Sequence, residues 1–290
     1  MKAEELFARL NQVDDLPTLP VVIEKLRVSM KDPQSDAARF ATIVEDDPAI
    51  SARILRVINS ALYAGTEPIA SMQLAIARLG IHALSNIAMS TAVFAAFNGK
   101  YKTDFDREGL WQHSICSGIA AAILREHVGS GIAASLDREF IHLAGLLHDI
   151  GKIIFDRYFH AELMEALLMA REANSTLSMT EVAVLGASHA QVGAWLGEEW
   201  RLSPELLDVI RWHHDPERAS DESRDLVRLC HLANGICNQE GLGASGDAAP
   251  SIIPETWEAL GIPTDEKEDI LTRIRQEAEG SEVLRALLGG

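Results

Sequence analysis

The segment His142–Lys152, HLAGLLHDIGK, decides the fold and points to the site of chemistry. It belongs to an apolar stripe with helical spacing that closes on the polar pair His148-Asp149, after which Gly151 interrupts the pattern. The stripe consists of Phe140, Leu143, Ala144 and Leu147. Side chains at the end of a buried helix can point into a cleft, where Lys152 can steady a phosphate. We favour this interpretation over a helix that simply ends in a capping histidine and a solvated lysine.

Further histidines precede and follow this segment in a recognisable order. Imidazole nitrogens and a carboxylate are the ligand set of first-row transition metals such as iron, manganese, nickel and zinc. An aspartate can also bridge two ions, and two close ions can clamp a phosphoryl group and activate a water. The sequence therefore predicts one or two divalent transition metal ions at a single cluster. Its members are His113, His148, Asp149, His189, His213 and His214.

The other histidines and the glycine-rich stretch are interpreted as structural. An isolated histidine in a helix is usually a satisfied packing or surface group. These residues are His82, His127, His142, His160 and His231. The stretch GLGASG at 241–246 is predicted to be a loop, because no strand precedes it as in a dinucleotide-binding fingerprint.

Apolar periodicity predicts an all-α protein, since no convincing run of alternating β-branched residues is present. Asp47 is a plausible N-cap with Pro48 at the first helical position, and Gly80 closes a helical stretch. Other predicted helices are Leu19–Met30, Leu84–Phe97, Glu108–Glu126, Asp137–Asp149, Ile153–Ala173, Ala190–Trp200, Pro204–Trp212 and Arg224–Cys237. We divide the chain at Asn98-Gly99 into a helical half (1–98), a histidine-rich half (99–240), and a loop with C-terminal helices (241–290).

Composition excludes several classes of function. The 290 residues include 26 basic and 43 acidic ones, so the net charge of −17 disfavours binding to nucleic acids and anionic membranes. A metal ion or a local basic pocket could still attract a small anion. Three cysteines without Cys-x-x-Cys spacing are most simply reduced. The start, MKAEELFARLNQV, has no apolar core, and no apolar run approaches about 18 residues. We expect a cytoplasmic protein.

The motifs resemble a known superfamily. HLAGLLHDIGK is similar to the signature of the HD metal-dependent phosphohydrolases, and WQHS, with His113, looks like their upstream ligand segment. SHAQVGAWL, with His189, and IRWHHDPE, with His213 and His214, resemble the additional histidines of two-metal members. The segments LPTLPVVIEKL, IVEDDPAISARILRVINSALY and IASMQLAIARLGIHALSNIAMS resemble the N-terminal part of HDOD domains.

The likeness to HDOD domains runs from about Leu16 to Asn234, which is most of the chain. It implies an HD-like helical bundle packed on an N-terminal helical subdomain. Two departures limit what else it implies. HLANGIC places Asn234, a neutral and weaker ligand, where active HD enzymes carry their last aspartate. The Gly-Tyr-Pro signature of cyclic-di-GMP phosphodiesterases does not follow His213-His214.

Two functions follow from the resemblance. The first is a bacterial signalling output module that binds a protein partner or a small phosphorylated ligand, with any metal structural or vestigial. The second is an active phosphohydrolase or phosphodiesterase on a nucleotide or cyclic dinucleotide, in which Asp149 bridges the ions and Lys152 contacts phosphate. Because HDOD domains as a group resemble HD hydrolases that have lost catalytic residues, Asn234 favours the first. No sequence feature supports a third possibility, an iron-based gas or redox sensor.

Overall fold

The computed structural model of this chain describes residues 1–32, 34–59, 68–97, 103–249 and 252–280. These residues form helices and loops without a β-strand, so the predicted all-α fold is confirmed. The helices in chain order are α1 Ala3–Leu10, α2 Val21–Lys31, α3 Ala37–Glu45, α4 Pro48–Ile58, α5 Met72–Phe97, α6 Arg107–Leu124, α7 Ser130–Ser135, α8 Arg138–Leu147, α9 Ile150–Tyr158, α10 His160–Ala173, α11 Leu177–Leu185, α12 His189–Glu199, α13 Pro204–Trp212, α14 Arg224–Gln239, α15 Glu255–Ala259 and α16 Lys267–Gly280.

The chain forms two compact units. Among the described residues, the larger unit consists of Met1–Leu16 with residues 103–278, and the smaller unit of residues 17–97 with 279–280. The division that we placed at Asn98-Gly99 falls outside the described residues, and the three predicted segments stay a prediction.

The helices of the smaller unit begin and end where local chemistry dictates. Asp47 caps α4 by accepting hydrogen bonds from the amides of Ala49 and Ile50, with Pro48 in the first turn, as predicted. Helix α5 packs against α2, α3 and α4. It is interrupted at Gly80, whose φ of 85° lies in a region of backbone conformation that favours glycine. Two helical stretches therefore meet at this residue.

Helix α5 is also long and apolar enough, by length and composition, to cross a membrane. Half of its most apolar window is buried within the fold, however. Buried core helices pass the same test, and the break at Gly80 divides the helix. The absence of a membrane span therefore stays a prediction.

In the larger unit, a close approach of two backbones fixes the crossing of α6 and α8. A Cβ atom on Gly145 would lie 2.5 Å from the Cα of Gly118, which leaves no room for a side chain at this position. Helix α6 also packs against α14. This crossing holds His113, which precedes Gly118 on α6, close to His148 at the end of α8.

A second close contact joins α9 to α12. A Cβ on Gly151 would lie 2.0 Å from the backbone oxygen of His189 and 2.8 Å from the backbone nitrogen of Gly193. Glycine is therefore required here by packing. The contact places the first residue of α12, His189, next to the start of α9.

One predicted helix is wrong. The pattern from Ile153 to Ala173 predicted a single helix, but the chain forms α9 and α10 with a break at Phe159, whose φ of −140° and ψ of 41° are not helical. The Phe159 side chain is buried, and the backbone turns there although no proline or glycine marks the position. Helices α1, α3, α7 and α11 were not predicted.

Replacing Gly151 with alanine tests the α9–α12 contact. We expect Gly151→Ala to lower the free energy of unfolding by about 1–3 kcal/mol, because the added methyl group meets backbone atoms that cannot rotate away. Urea denaturation is the measurement. Gly131→Ala in α7 is the matched control: nothing lies within 4 Å of its Cβ position, so stability should be unchanged or slightly higher. Equal stability of both variants would contradict this account of the packing.

Candidate metal centre

The larger unit brings all seven predicted ligand residues into one cluster. Most stand at helix ends, where a side chain can leave the helical array and point inward. The set comprises His113 on α6, His148 and Asp149 between α8 and α9, His189 at the start of α12, His213 and His214 after α13, and Asn234 on α14. All are buried except His214, which is half-buried.

One side of the cluster, the inner set, faces the Oδ2 atom of Asp149. The Nε2 atoms of His148 and His113 lie 3.3 Å and 3.7 Å from Oδ2. The Nζ atom of Lys152 donates a hydrogen bond to the same oxygen at 2.7 Å. Behind them, His113 Nε2 lies 2.9 Å from Asn234 Oδ1. His113, His148 and Asp149 each offer a ligand atom within 4.8 Å of the others.

The other side, the outer set, contains three histidines and faces the Oδ1 atom of Asp149. The Nε2 atoms of His189 and His213 lie 3.2 Å and 3.7 Å from Oδ1. The Nε2 atom of His189 is also 2.9 Å from that of His214 and 3.4 Å from that of His213. His189, His213 and His214 again place their ligand atoms within 4.8 Å of one another.

The far nitrogens of these rings decide which lone pairs point inward. Nδ1 of His148 lies 2.6 Å from the carbonyl oxygen of Gly145, and Nδ1 of His213 lies 3.0 Å from that of Ile210. Carbonyl oxygens only accept, so both rings carry a proton on Nδ1, and their Nε2 atoms face the cluster. By contrast, Nδ1 of His113 is buried without a hydrogen-bond partner in the described part of the chain.

Glu181 on α11 supports His189 and was missed at the sequence level. Its side chain is fully buried, and Oε2 accepts hydrogen bonds from the backbone N–H of His189 at 2.7 Å and from Nδ1 at 2.6 Å. A carboxylate behind a histidine fixes its tautomer and raises its basicity toward a metal. The available signal was that Glu181 is the one charged residue in the otherwise uncharged helix LSMTEVAVL.

The charges of the cluster depend on each other. Burial disfavours ionised Asp149, but the facing groups, chiefly His148 and Lys152, hold the pKa of Asp149 well below its usual range. Burial likewise disfavours charged His189, but the Glu181 carboxylate outweighs it and raises the pKa of His189 to about 9. A cation that binds at His189 therefore displaces a proton near neutral pH.

Burial and neighbouring positive groups act in the opposite direction on the last two histidines. They hold the pKa of His213 and that of His214 well below their usual range, so both rings are neutral near pH 7. Neutral imidazoles are the form that binds metals.

These residues fit a transition metal ion. Within the part of the chain that the structure describes, His148 Nε2 and Asp149 Oδ1 are buried without a hydrogen-bond partner, a costly situation unless something binds them. Imidazole nitrogens with a carboxylate oxygen match the ligand preferences of zinc, iron, manganese and nickel. His113, His148, Asp149, His189, His213, His214 and Asn234 are therefore brought together as the sequence predicted, and their role as ligands stays a prediction.

The five histidines that we interpreted as structural lie outside this cluster. His231 joins two backbone segments, because its Nδ1 donates to the carbonyl oxygen of His213 at 2.7 Å and its Nε2 accepts from the amide of Ile253 at 3.0 Å. His127 pairs with Glu266. The remaining members are His160 beside Asp156, His142 against Gly118, and His82 in the smaller unit.

A helical fold with a buried histidine–aspartate cluster defines the HD-like class of proteins. Within that class, the sequence profile of the HDOD domain matches residues 16–216, so the chain belongs to the HDOD family. An HDOD domain protein of unknown function from Geobacter sulfurreducens is 26% identical, with a TM-score of 0.79 over 97% of this chain and 95% of that one.

Two other structures share the fold at lower identity. One is a candidate signal transduction protein from Marinobacter aquaeolei VT8, 21% identical with a TM-score of 0.76, covering 95% of this chain and 60% of that one. The other is a candidate phosphohydrolase from Shewanella amazonensis SB2B, 22% identical with a TM-score of 0.71 over 96% and 97%. An uncharacterised Treponema pallidum protein is 24% identical over 77% of this chain, which spans 42% of that relative's length.

Removing the charge of Glu181 tests its support of His189. We expect Glu181→Gln to weaken binding of added Zn²⁺ by about 10–100-fold, because the His189 ring loses its carboxylate partner. Competition with a fluorescent chelator gives the affinity. Glu165→Gln, at an exposed glutamate on α10 of the same unit, is the control and should leave the affinity unchanged. If both variants bind Zn²⁺ as the wild type does, Glu181 has no part in metal binding.

Proposed function

We propose that this chain is a cytoplasmic regulatory module of bacterial signal transduction whose HD-type cluster binds a divalent transition metal ion. The observation that supports this most directly is the buried Asp149 Oδ1, which has no hydrogen-bond partner among the described residues and faces the Nε2 atoms of His189 and His213. With His214 these groups supply three imidazoles and one carboxylate oxygen, a complete set for a four-coordinate ion.

The inner set is less favourable for a cation. Lys152 already bonds to Asp149 Oδ2, and its own positive charge opposes a metal ion beside it. Asn234 adds an amide oxygen without negative charge. His113 lacks a hydrogen-bond acceptor behind its ring among the described residues. We therefore propose one tightly held ion in the outer set, with any second ion in the inner set bound more weakly.

This imbalance favours regulation over hydrolysis. In the second candidate function, a phosphohydrolase, the metal ions would supply charge neutralisation at the phosphate, and Lys152 would contact the substrate. The Lys152 side chain is fully buried with its ammonium on Asp149, so it neutralises that carboxylate inside the protein. The proposed role of the module is thus to bind a protein partner or a small phosphorylated ligand near an ion that stays in place.

Metal content is the first test. Protein purified without a nickel column and dialysed against trace Zn²⁺, Mn²⁺ or Fe²⁺ should retain about one equivalent of metal by elemental analysis, as expected for one complete ligand set. His214→Ala should weaken retention by at least about tenfold, because it removes one ligand of the outer set. His127→Ala, a histidine outside the cluster, should retain metal as the wild type does. A wild type that retains almost no metal would refute the proposal.

Catalytic activity is the second test. With Mn²⁺ or Fe²⁺ added, we expect no turnover of nucleotides, cyclic dinucleotides or generic phosphodiesters above a protein-free blank containing the same metal. Phosphate release and chromatography of the products are the measurements. Turnover by the wild type that disappears in both His148→Ala and Asp149→Ala would establish the phosphohydrolase function instead.

A further inference from the structure

The metal cluster opens to the surface on one side. Of its ligand residues only His214 is partly exposed, and His214 lines a pocket of about 550 Å3 in the larger unit. Its Nε2 atom is 2.9 Å from that of the buried His189, so the same imidazole faces both the pocket and the outer set. A ligand in this pocket therefore approaches the outer set.

Three aromatic rings form part of the walls of this pocket. Phe7, Trp195 and Trp212 line it, and all three are only half-buried. The rings of Phe7 and Trp195 are tilted against each other with centroids 6.3 Å apart. Partly exposed aromatic rings that converge on a concave surface are a common platform for a flat ring, because stacking removes apolar area from water on both partners.

The charged side chains of the pocket balance one another. Arg211 forms an ion pair with Glu198. The Nε atom of Arg218 lies 4.0 Å from Oδ2 of Asp215, and the Cζ atom of the same guanidinium lies 4.1 Å from the centroid of the Trp212 ring. Side chains alone thus give the pocket little preference for either sign of charge. A divalent ion held by three imidazoles and the single carboxylate of Asp149 would keep a net positive charge, and would attract an anion to the His214 end.

We propose that this pocket binds a compound that carries both a flat ring and a phosphate group, the class that includes nucleoside monophosphates. The ring lies among Phe7, Trp195 and Trp212, and the phosphate lies at the His214 end. The pocket volume falls within the range typical of small-molecule sites. This inference rests on the proposed function, because the attraction for phosphate depends on the ion in the outer set.

Equilibrium binding to the Zn²⁺-loaded full chain tests the proposal, with guanosine 5′-monophosphate as the probe. Isothermal titration calorimetry should show binding of this probe, whereas guanosine alone and inorganic phosphate alone should each bind at least about tenfold more weakly. The metal content of every sample is measured in parallel, so that loss of the ion is distinguished from loss of the pocket.

Two tryptophan variants locate the ring. Trp195→Leu should weaken binding of the nucleotide by about tenfold without changing the metal content, because one stacking surface is removed. Trp257→Leu is the matched control: Trp257 is another half-buried tryptophan of the larger unit, it lies beneath Lys267, and it does not line the pocket. Its nucleotide affinity should equal that of the wild type.

Several outcomes would overturn the proposal. A metal-loaded wild type that does not bind the nucleotide refutes the pocket ligand and leaves metal binding intact. Inorganic phosphate that binds as tightly as the nucleotide, or Trp195→Leu with unchanged nucleotide affinity, shows that the aromatic walls hold no ring. A chain that holds no metal refutes the proposed function itself, and the ligand with it.

Discussion

The buried carboxylate of Asp149 is the constraint around which the larger unit is organised. An ionised carboxylate inside a protein is costly unless opposite charge and hydrogen-bond donors surround it. Lys152 supplies the charge from one turn along α9, and four imidazoles face the two oxygens at 3.2–3.7 Å. These groups come from α6, α9, α12 and the loops that follow α8 and α13, so the balance of charge at one residue joins most of the unit.

The two oxygens of that carboxylate have different surroundings. Oδ2 accepts a hydrogen bond from the Lys152 ammonium, whereas Oδ1 faces His189 and His213 and forms no hydrogen bond within the described ranges. Behind the rings the same asymmetry recurs: His189 is supported by Glu181, but Nδ1 of His113 has no acceptor in the described part of the chain. Asn234, which stands where the resemblance to HD enzymes leads us to expect an aspartate, lies on the same side as His113. The ligand residues are thus all present, but the outer set is better prepared to bind a cation than the inner set.

Much of this arrangement was predictable from sequence. The elements that the sequence analysis missed were missed for physical reasons. The segment containing His148 and Asp149 carries two signals at once, an apolar stripe and a polar end, and was placed correctly. Helix α11 was missed because its apolar residues are distributed around the whole helix, so its sequence lacks the periodicity of an amphipathic helix. Glu181 was missed because its contact with His189 depends on the turn at Gly186 that joins two helices. The break at Phe159 has no local marker such as proline or glycine, and the burial of this side chain becomes visible only in the folded structure.

A single imidazole gives the chain a mechanical connection between its C-terminal segment and the cluster. His231 holds the carbonyl oxygen of His213 with one nitrogen and the amide of Ile253 with the other. Both nitrogens are used, and burial lowers the pKa of His231, so the ring stays neutral and keeps one donor and one acceptor. Displacement of the backbone at Ile253 must therefore either pull on the peptide group that carries His213 or break a hydrogen bond. A movement of the backbone near Ile253 is thereby transmitted to the histidines of the outer set.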